Sequence, residues 1–161
     1  MLKTVNSLVE RALILVAWPM FSLYIVAIFT QVVARNYLQI PITWLDEIAR
    51  MLFLWTIMLG SAVAVRRRVH YDIEIFPPRF VRINIALKFV AHTVTLAVIL
   101  VMLVYGWQYT DMSMFNESEA LEVPWAYTYV SMPIAAAAML SFWIENLIDD
   151  LRSLQQTPAE A

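Results

Sequence analysis

TWLDEIARMLFLWTIMLGSAVAVRRRVHYD, residues 43–72, is the stretch that decides the fold. It opens with acidic and basic side chains and continues through an apolar segment interrupted only by Thr56, Gly60 and Ser61. Three arginines then end it. A surface helix of a soluble protein has a single apolar stripe, whereas this segment is apolar on all sides. Its apolar part has about the 20 residues that span a bilayer. The stretch therefore predicts a transmembrane helix with a polar cluster at one end and a basic stop at the other.

The composition of the whole chain indicates a membrane protein. Of its 161 residues, 61% are hydrophobic and 15% are charged, whereas soluble domains have roughly 45–50% apolar and about 25% charged residues. The net charge of −2 and the lack of a basic face with interleaved aromatic residues argue against nucleic acid as a partner. The chain has no cysteine, P-loop or metal-ligand spacing. We therefore expect no catalytic residue, no cofactor and no metal on this chain, and no enzymatic activity.

Four apolar runs are long enough to span a bilayer, and each should be a helix because isolated strands leave backbone groups unpaired in lipid. They cover about residues 12–34, 45–65, 83–109 and 125–148. The first run is longer than the apolar part of a signal peptide, and no small-x-small cleavage site follows it, so we expect it to stay as a span. The sequence predicts an all-α membrane protein with one four-helix domain over residues 1–161 and a flexible tail at 152–161.

The distribution of lysine and arginine predicts the orientation. Two basic residues precede the first run, six gather between the second and third runs, and the loop at 111–123 has none. The basic residues are Lys3, Arg11, Arg66, Arg67, Arg68, Arg79, Arg82 and Lys88. By the positive-inside rule both termini are cytoplasmic, and helices 1–2 and 3–4 are joined on the periplasmic side.

A polar cluster opens the second run. Thr43 and Asp46 resemble a capping box. Arg50 lies four residues after Asp46 and three after Glu47, so an ion pair can form on one helix face. Two interpretations are open: a snorkelling pair at the membrane interface, or a polar group that docks onto another membrane protein.

Three other positions bear on helix contacts. Gln31 near the end of the first run is either an interfacial polar residue or a hydrogen-bond donor to a neighbouring helix. Gly60 and Ala64 have the four-residue spacing of small side chains that lets helices approach closely. Pro133 lies about two turns into the fourth run and should kink it, leaving the Tyr129 carbonyl without its usual donor.

The deepest ionisable group is His92, in the third run. Such a residue is either bonded to a neighbouring helix or part of a proton relay or ligand contact. His70 lies beside the three arginines, where metal ligation lacks partners of suitable spacing. Glu145, Asp149 and Asp150 stand at the negative end of the last helix, which is unfavourable unless basic groups answer them.

An ordered set of motifs accompanies this layout. It comprises QVVARNY at 31–37, Pro41, Trp44-x-x-Glu47-x-x-Arg50, LFLW at 52–55 ending in Trp55, Gly60, Arg66-Arg67-x-x-His70, the prolines at 77 and 78, and ALEVPW at 120–125 followed by Pro133. This set resembles the small membrane subunit of tripartite ATP-independent periplasmic (TRAP) transporters. Arg68 stands where such proteins often have glycine, and alanines follow Pro133 where a glycine is common.

The resemblance implies an accessory role in the cytoplasmic membrane of a bacterium or archaeon. In that family a periplasmic binding protein captures an organic acid, often a carboxylate or sialic acid, and delivers it to a large multi-span subunit that carries the sodium and substrate sites. The small subunit packs beside the large one among membrane lipids and holds no solute itself. The residues expected at the subunit interface or in structural motifs are Trp44, Glu47, Arg50, Trp55, Gly60, Arg66, Arg67, His70, His92 and Pro133.

Two rival functions stay open on the sequence. The chain could be a self-contained small transporter in which Glu47 or His92 takes up and releases protons. It could also be a haem-bearing electron-transfer subunit, although that needs two histidines at matched depth. His70 is predicted in a cytoplasmic loop and His92 inside the membrane, which disfavours haem.

Overall fold

A computed structural model describes residues 2–68 and 81–156, apart from the side chains at 81, 82, 84, 85 and 153–156. The helices are α1 (Leu2–Val33), α2 (Thr43–Arg66), α3 (Val81–Met112), α4 (Ala126–Tyr129) and α5 (Ser131–Gln156). Four segments are long and apolar enough to cross a membrane, namely Leu2–Leu38, Thr43–Arg66, Ala86–Phe115 and Ala126–Arg152. The predicted all-α architecture with four membrane-crossing helices is confirmed. The predicted tail at 152–161 lies mostly outside the described residues, and α5 continues to Gln156.

The first helix begins at Leu2, well before the apolar run near residue 12. Its first turns carry Asn6 and Glu10, whose side chains are bound by α2 and α5. Polar residues that lower the hydropathy of a helix end can still be helical when neighbouring helices supply their partners. Hydropathy therefore located the span but not the start of the helix.

The connection from α1 to α2 consists of a π-helical turn, Ala34–Leu38, followed by Gln39 in the left-handed region with φ 54°. Helix α2 begins at Thr43, and its N-cap residue Ile42 makes no side-chain cap. The predicted capping box is therefore wrong. Asp46 instead accepts a hydrogen bond from Gln31 Nε2 at 2.9 Å, which places Gln31 among the residues that join two helices.

The most extensive contacts between the four long helices join α1 to α2, α2 to α5 and α5 to α3, and α1 also contacts α5. We call this arrangement of the four helices the helix layer. Within the described residues, α3 makes no close backbone contact with α1 or α2. Small side chains at the centre of the layer allow close approach, and the buried core consists of Ala62, Val65, Ile99, Ala135, Met139 and Phe142. At Gly106 an added Cβ would lie 3.1 Å from Met132 Cβ, so this glycine lets α3 approach the start of α5.

The fourth span is interrupted at Val130, three residues before Pro133. Helix α4 ends at Tyr129, and α5 begins at Ser131. Val130 keeps right-handed helical angles, and the N–H groups of Val130 and Ile134 each donate to the carbonyl four residues earlier. Pro133 has no N–H for the Tyr129 carbonyl, so the missing helix bond that the sequence predicted lies at this break. The break at Val130 is stabilised by Ser131 Oγ, which donates to the Thr128 carbonyl at 2.8 Å.

The two ends of the layer differ. The start of α1, the end of α2 and the end of α5 meet at one end, where Lys3 Nζ lies 2.8 Å from Asp149 Oδ2. We call this the terminal end. The α1–α2 connection and the segment between α3 and α4 meet at the other end, which we call the loop end.

Candidate functional site

The loop end is organised by Glu47, which is only 6% exposed. The segment between α3 and α4 folds into a compact hairpin, closed by a hydrogen bond from Trp125 N to Asn116 O at 2.9 Å. Its tip directs backbone N–H groups at the carboxylate. Ala120 N donates to Oε1 at 3.1 Å, and Leu121 N donates to Oε2 at 3.0 Å. Hydrogen bonds from N–H to a carboxylate are roughly twice as strong as neutral ones, so Glu47 fastens this loop to α2.

The expected pairing of Arg50 is present in part. Arg50 Nη2 lies 3.3 Å from Asp46 Oδ2, as the four-residue spacing indicates. Glu47 faces the loop and takes no part in this pair. The guanidinium of Arg50 lies 5.5 Å from the centre of the Trp125 ring, within reach of a cation–π interaction. Arg50 thus touches both its own helix and the hairpin.

Two tryptophans of the ordered motif set, Trp44 and Trp55, have different surroundings. Trp55 Nε1 donates to the carbonyl of Tyr127 at 2.9 Å, so the indole joins α2 to α4. Trp44 is half exposed and faces outward at the start of α2. Of the residues in the Trp-x-x-Glu-x-x-Arg motif, Glu47 and Arg50 therefore bind within the chain, whereas Trp44 presents its ring to the surroundings.

At the terminal end, Arg66 connects three helices. Its Nε lies 2.7 Å from Glu10 of α1, and its Nη1 lies 3.0 Å from Glu145 of α5. Asn6 Nδ2 also donates to Glu145, at 2.6 Å. The Arg66 guanidinium lies over the Phe142 ring at 5.2 Å. A charge this close to lipid is tolerated because its partners are present on every side.

The next two arginines extend this cluster. Arg67, with its side chain 58% exposed, pairs with Glu10 at 2.8 Å. Arg68 adopts φ 57°, a left-handed conformation that glycine accepts more readily than other residues. The glycine common at this position in the resembling family has a physical reason here. Arg68 offsets the cost by binding Asp150 at 2.5 Å and Asn146 at 3.2 Å.

His92 joins α3 to α5. Its Nε2 lies 2.8 Å from Asp150 Oδ2, and its backbone carbonyl accepts a hydrogen bond from Trp143 Nε1 at 3.0 Å. This geometry matches the interpretation of His92 as a histidine bonded to a neighbouring helix. The three carboxylates at the end of α5 pair with basic residues outside this helix. Glu145 pairs with Arg66, Asp149 with Lys3, and Asp150 with Arg68.

The structure does not bring Glu47 and His92 together. Glu47 stands at the loop end, whereas His92 is linked through Asp150 to Arg68, just beyond the other end of α2. At 1.5 Å per residue, these clusters are about 30 Å apart. Within residues 2–68 and 81–156, no group of three His, Cys, Asp or Glu side chains could hold a metal ion. His70 and the prolines at 77 and 78 lie outside the described residues.

Sequence reasoning singled out Asp150 at the terminal end but missed Asn6, Glu10 and Asn146. Asn6 and Glu10 are four apart on α1, as are Asn146 and Asp150 on α5. Polar pairs at this spacing share one helix face, and this signal could have identified them. Gly60, by contrast, was singled out, and the structure leaves open space where its Cβ would be. It is not used for packing within the described part of this chain.

The fold and the two clusters define a multi-pass membrane protein whose ionisable side chains hold its own helices together. Residues 24–153 match the family described as "Tripartite ATP-independent periplasmic transporters, DctQ component". Because the match covers most of the sequence, the chain belongs to this family, and it is a multi-pass inner-membrane component of a transporter.

The relatives agree with this assignment. The chain is 24% identical over 157 residues to the sialic acid TRAP transporter small permease protein SiaQ of Vibrio cholerae, covering 95% of this chain and 89% of that protein. It is 22% identical over 152 residues to a putative TRAP transporter small permease protein of Haemophilus influenzae, covering 94% of each. A 47-residue stretch is 36% identical to the H. influenzae sialic acid TRAP transporter permease protein SiaT, covering 29% of this chain and 8% of that protein.

Proposed function

We propose that this chain is the scaffold subunit of a sodium-coupled secondary transporter that imports organic acids of the carboxylate or sialic acid class. A periplasmic binding protein delivers the solute, and a large multi-span subunit holds the solute and sodium sites. The family membership and the sialic acid relatives support this proposal. The small chain stabilises the large one and is oriented with its terminal end in the cytoplasm, as its basic residues indicate.

One observation carries the scaffold role: the buried ionisable groups of the two described clusters are engaged in holding the helices together. Glu47 binds the hairpin, Arg66 binds α1 and α5, and His92 binds α5. A carrier needs polar groups that exchange partners with solute or ion during transport, usually where helices are broken near the membrane centre. The break at Val130 lies at the loop end of its span. The many exposed large apolar side chains of the long helices suit a protein that lies against a larger one in the membrane.

Assembly with the large subunit tests this role. Gly60 leaves space for a neighbouring helix, so Gly60→Leu should lower recovery of the complex by about tenfold, equivalent to about 1.4 kcal/mol. The measurement is co-purification of this chain with a tagged large subunit. Gly60→Ala is the matched control and should retain the complex. Unchanged recovery of the Gly60→Leu complex would remove Gly60 from the interface.

The same assay compares two arginines. We expect Arg50→Ala to lower recovery of the complex more than Arg67→Ala, because Arg50 belongs to the motif at the loop end and Arg67 is an exposed member of a larger cluster. Equal losses for the two variants would argue against docking through Arg50.

Transport tests the proposal as a whole. Proteoliposomes with the large subunit, this chain and the binding protein should take up sialic acid when sodium is higher outside, without ATP. Omitting this chain should abolish uptake. Uptake that persists without the chain contradicts the scaffold role, and uptake by this chain alone would favour the self-contained transporter.

A further inference from the structure

A cavity of about 280 Å³ opens at the terminal end between the start of α1 and the end of α5. Its walls are formed by Leu2, Lys3, Glu145, Ile148, Asp149 and Arg152. This volume is near the lower end of small-molecule sites, which begin at about 300 Å³. It is far larger than the space for one water molecule, so the cavity can hold a group of several atoms.

The lining carries charges of both signs. Lys3 and Arg152 contribute two cations, and Asp149 and Glu145 contribute two carboxylates. Glu145 is bound to Arg66 and Asn6, and Asp149 to Lys3. An ammonium has three donors and a guanidinium has five, so Lys3 and Arg152 retain donors that can face the cavity. A purely anionic guest would meet the two carboxylates, and a purely cationic guest would meet the two cations.

The cavity is also amphipathic and lies at a membrane boundary. Leu2 and Ile148 supply apolar walls, and Arg152 ends the membrane-crossing segment Ala126–Arg152. Basic side chains at the ends of such helices lie at the level of lipid headgroups. A guest at this position can extend an acyl chain along the helices while its polar part occupies the cavity.

From this juxtaposition we infer that the cavity binds the headgroup of phosphatidylethanolamine, a zwitterionic phospholipid. Its phosphate is held by Lys3 and Arg152, and its primary ammonium donates hydrogen bonds to Asp149. The bound lipid bridges the start of α1 and the last turns of α5. This inference goes beyond the transport role and does not depend on which solute the transporter carries.

The test is native mass spectrometry of the full-length chain in a non-ionic detergent, titrated with phosphatidylethanolamine. The Lys3→Ala/Arg152→Ala double variant should bind this lipid at least about tenfold more weakly than the unaltered chain, a difference of about 1.4 kcal/mol. Arg11→Ala is the matched control, since Arg11 is an exposed cation on the same helix that does not line the cavity. It should bind within about twofold of the unaltered chain.

A second variant distinguishes headgroup classes. Asp149→Asn removes the negative charge that faces the ammonium, keeps only a neutral oxygen acceptor and weakens the ion pair with Lys3. Affinity for phosphatidylethanolamine should therefore fall while affinity for the anionic lipid phosphatidylglycerol rises. Phosphatidylcholine, whose quaternary ammonium has no N–H donor, should bind more weakly than phosphatidylethanolamine.

Three outcomes would overturn the inference. In the first, Arg11→Ala loses as much affinity as the double variant, which indicates diffuse electrostatic attraction. In the second, Asp149→Asn leaves the order of the lipids unchanged. In the third, free phosphoethanolamine displaces the lipid completely at equal concentration, which makes the site one for a soluble ligand.

Discussion

At the scale of single residues, Glu47 shows how one carboxylate can hold a distant loop against a helix. The tip of the hairpin between α3 and α4 is held by two N–H groups that point at this side chain. Backbone donors that lose their acceptor inside a protein are costly. Loss of Glu47 should therefore destabilise the loop end by more than the loss of one surface charge would.

We expect Glu47→Ala to lower the midpoint of thermal unfolding in detergent by about 5 °C or more, because Ala120 N and Leu121 N lose their acceptor. Glu47→Gln keeps one oxygen acceptor, so its unfolding midpoint should lie between those of Glu47→Ala and the unaltered chain. Glu117→Ala is the control, since that carboxylate is exposed on the same hairpin. A Glu117 variant as unstable as Glu47→Ala would show that the loop is held by general charge effects.

Arg68 combines an unfavourable backbone conformation with favourable side-chain contacts. Its positive φ costs a non-glycine residue about 1 kcal/mol, and its guanidinium binds Asp150 and Asn146. We expect Arg68→Gly to be less stable than the unaltered chain but about 1 kcal/mol more stable than Arg68→Ala, because glycine relieves the backbone. Denaturant unfolding checks the order. Equal stability of the two variants would mean that the left-handed conformation carries no cost here.

Sequence patterns predicted the contacts within one helix and, for Gln31 and His92, a bond to a neighbouring helix without its partner. Asp46 and Arg50 pair because their spacing on a helix dictates it. Glu47 was assigned to the same pair, but it binds backbone groups 73 and 74 positions away. No helical spacing encodes that contact, because it depends on the conformation of a loop. The Arg66 cluster likewise required knowing which three helix ends meet.

At the scale of elements, the two glycines have opposite surroundings. Gly106 faces Met132 across the contact between α3 and α5, whereas Gly60 faces open space on α2. Hydropathy located both helices because each is apolar for long enough. It could not show which glycine is enclosed, since that depends on the order of the helices in the layer.

We expect Gly106→Leu to destabilise the isolated chain by about 2 kcal/mol, because the larger side chain overpacks the contact with α5. Gly60→Leu, the matched substitution on α2, should leave its stability nearly unchanged. Unfolding in detergent measures both. If Gly106→Leu is tolerated as well as Gly60→Leu, α3 does not need close approach to α5.

At the scale of the whole molecule, the distribution of lysine and arginine between the two ends predicts the orientation in the membrane. The terminal end contains Arg66, Arg67 and Arg68, whereas the hairpin at 116–125 has acidic residues and no lysine or arginine. The start of α1 and the end of α5 both lie at the terminal end, so the same prediction puts both on the cytoplasmic side.

The absence of cysteine from the sequence makes this orientation directly measurable. Glu119→Cys, on the exposed hairpin, should react with a membrane-impermeant maleimide in cells whose outer membrane is permeable to it. Arg11→Cys, at the terminal end, should react only after the inner membrane is opened. The reverse pattern would contradict the positive-inside assignment.

The unequal lengths of the helices have a consequence at the membrane surface. Helix α1 has 32 residues and α2 has 24, which at 1.5 Å per residue is a difference of about 12 Å. The extra turns of α1 carry Lys3, Asn6 and Glu10, so they add polar length beyond the apolar run that begins near residue 12. The start of α1 therefore extends past the hydrocarbon core, and the bilayer need not deform to accommodate the difference between the two helices.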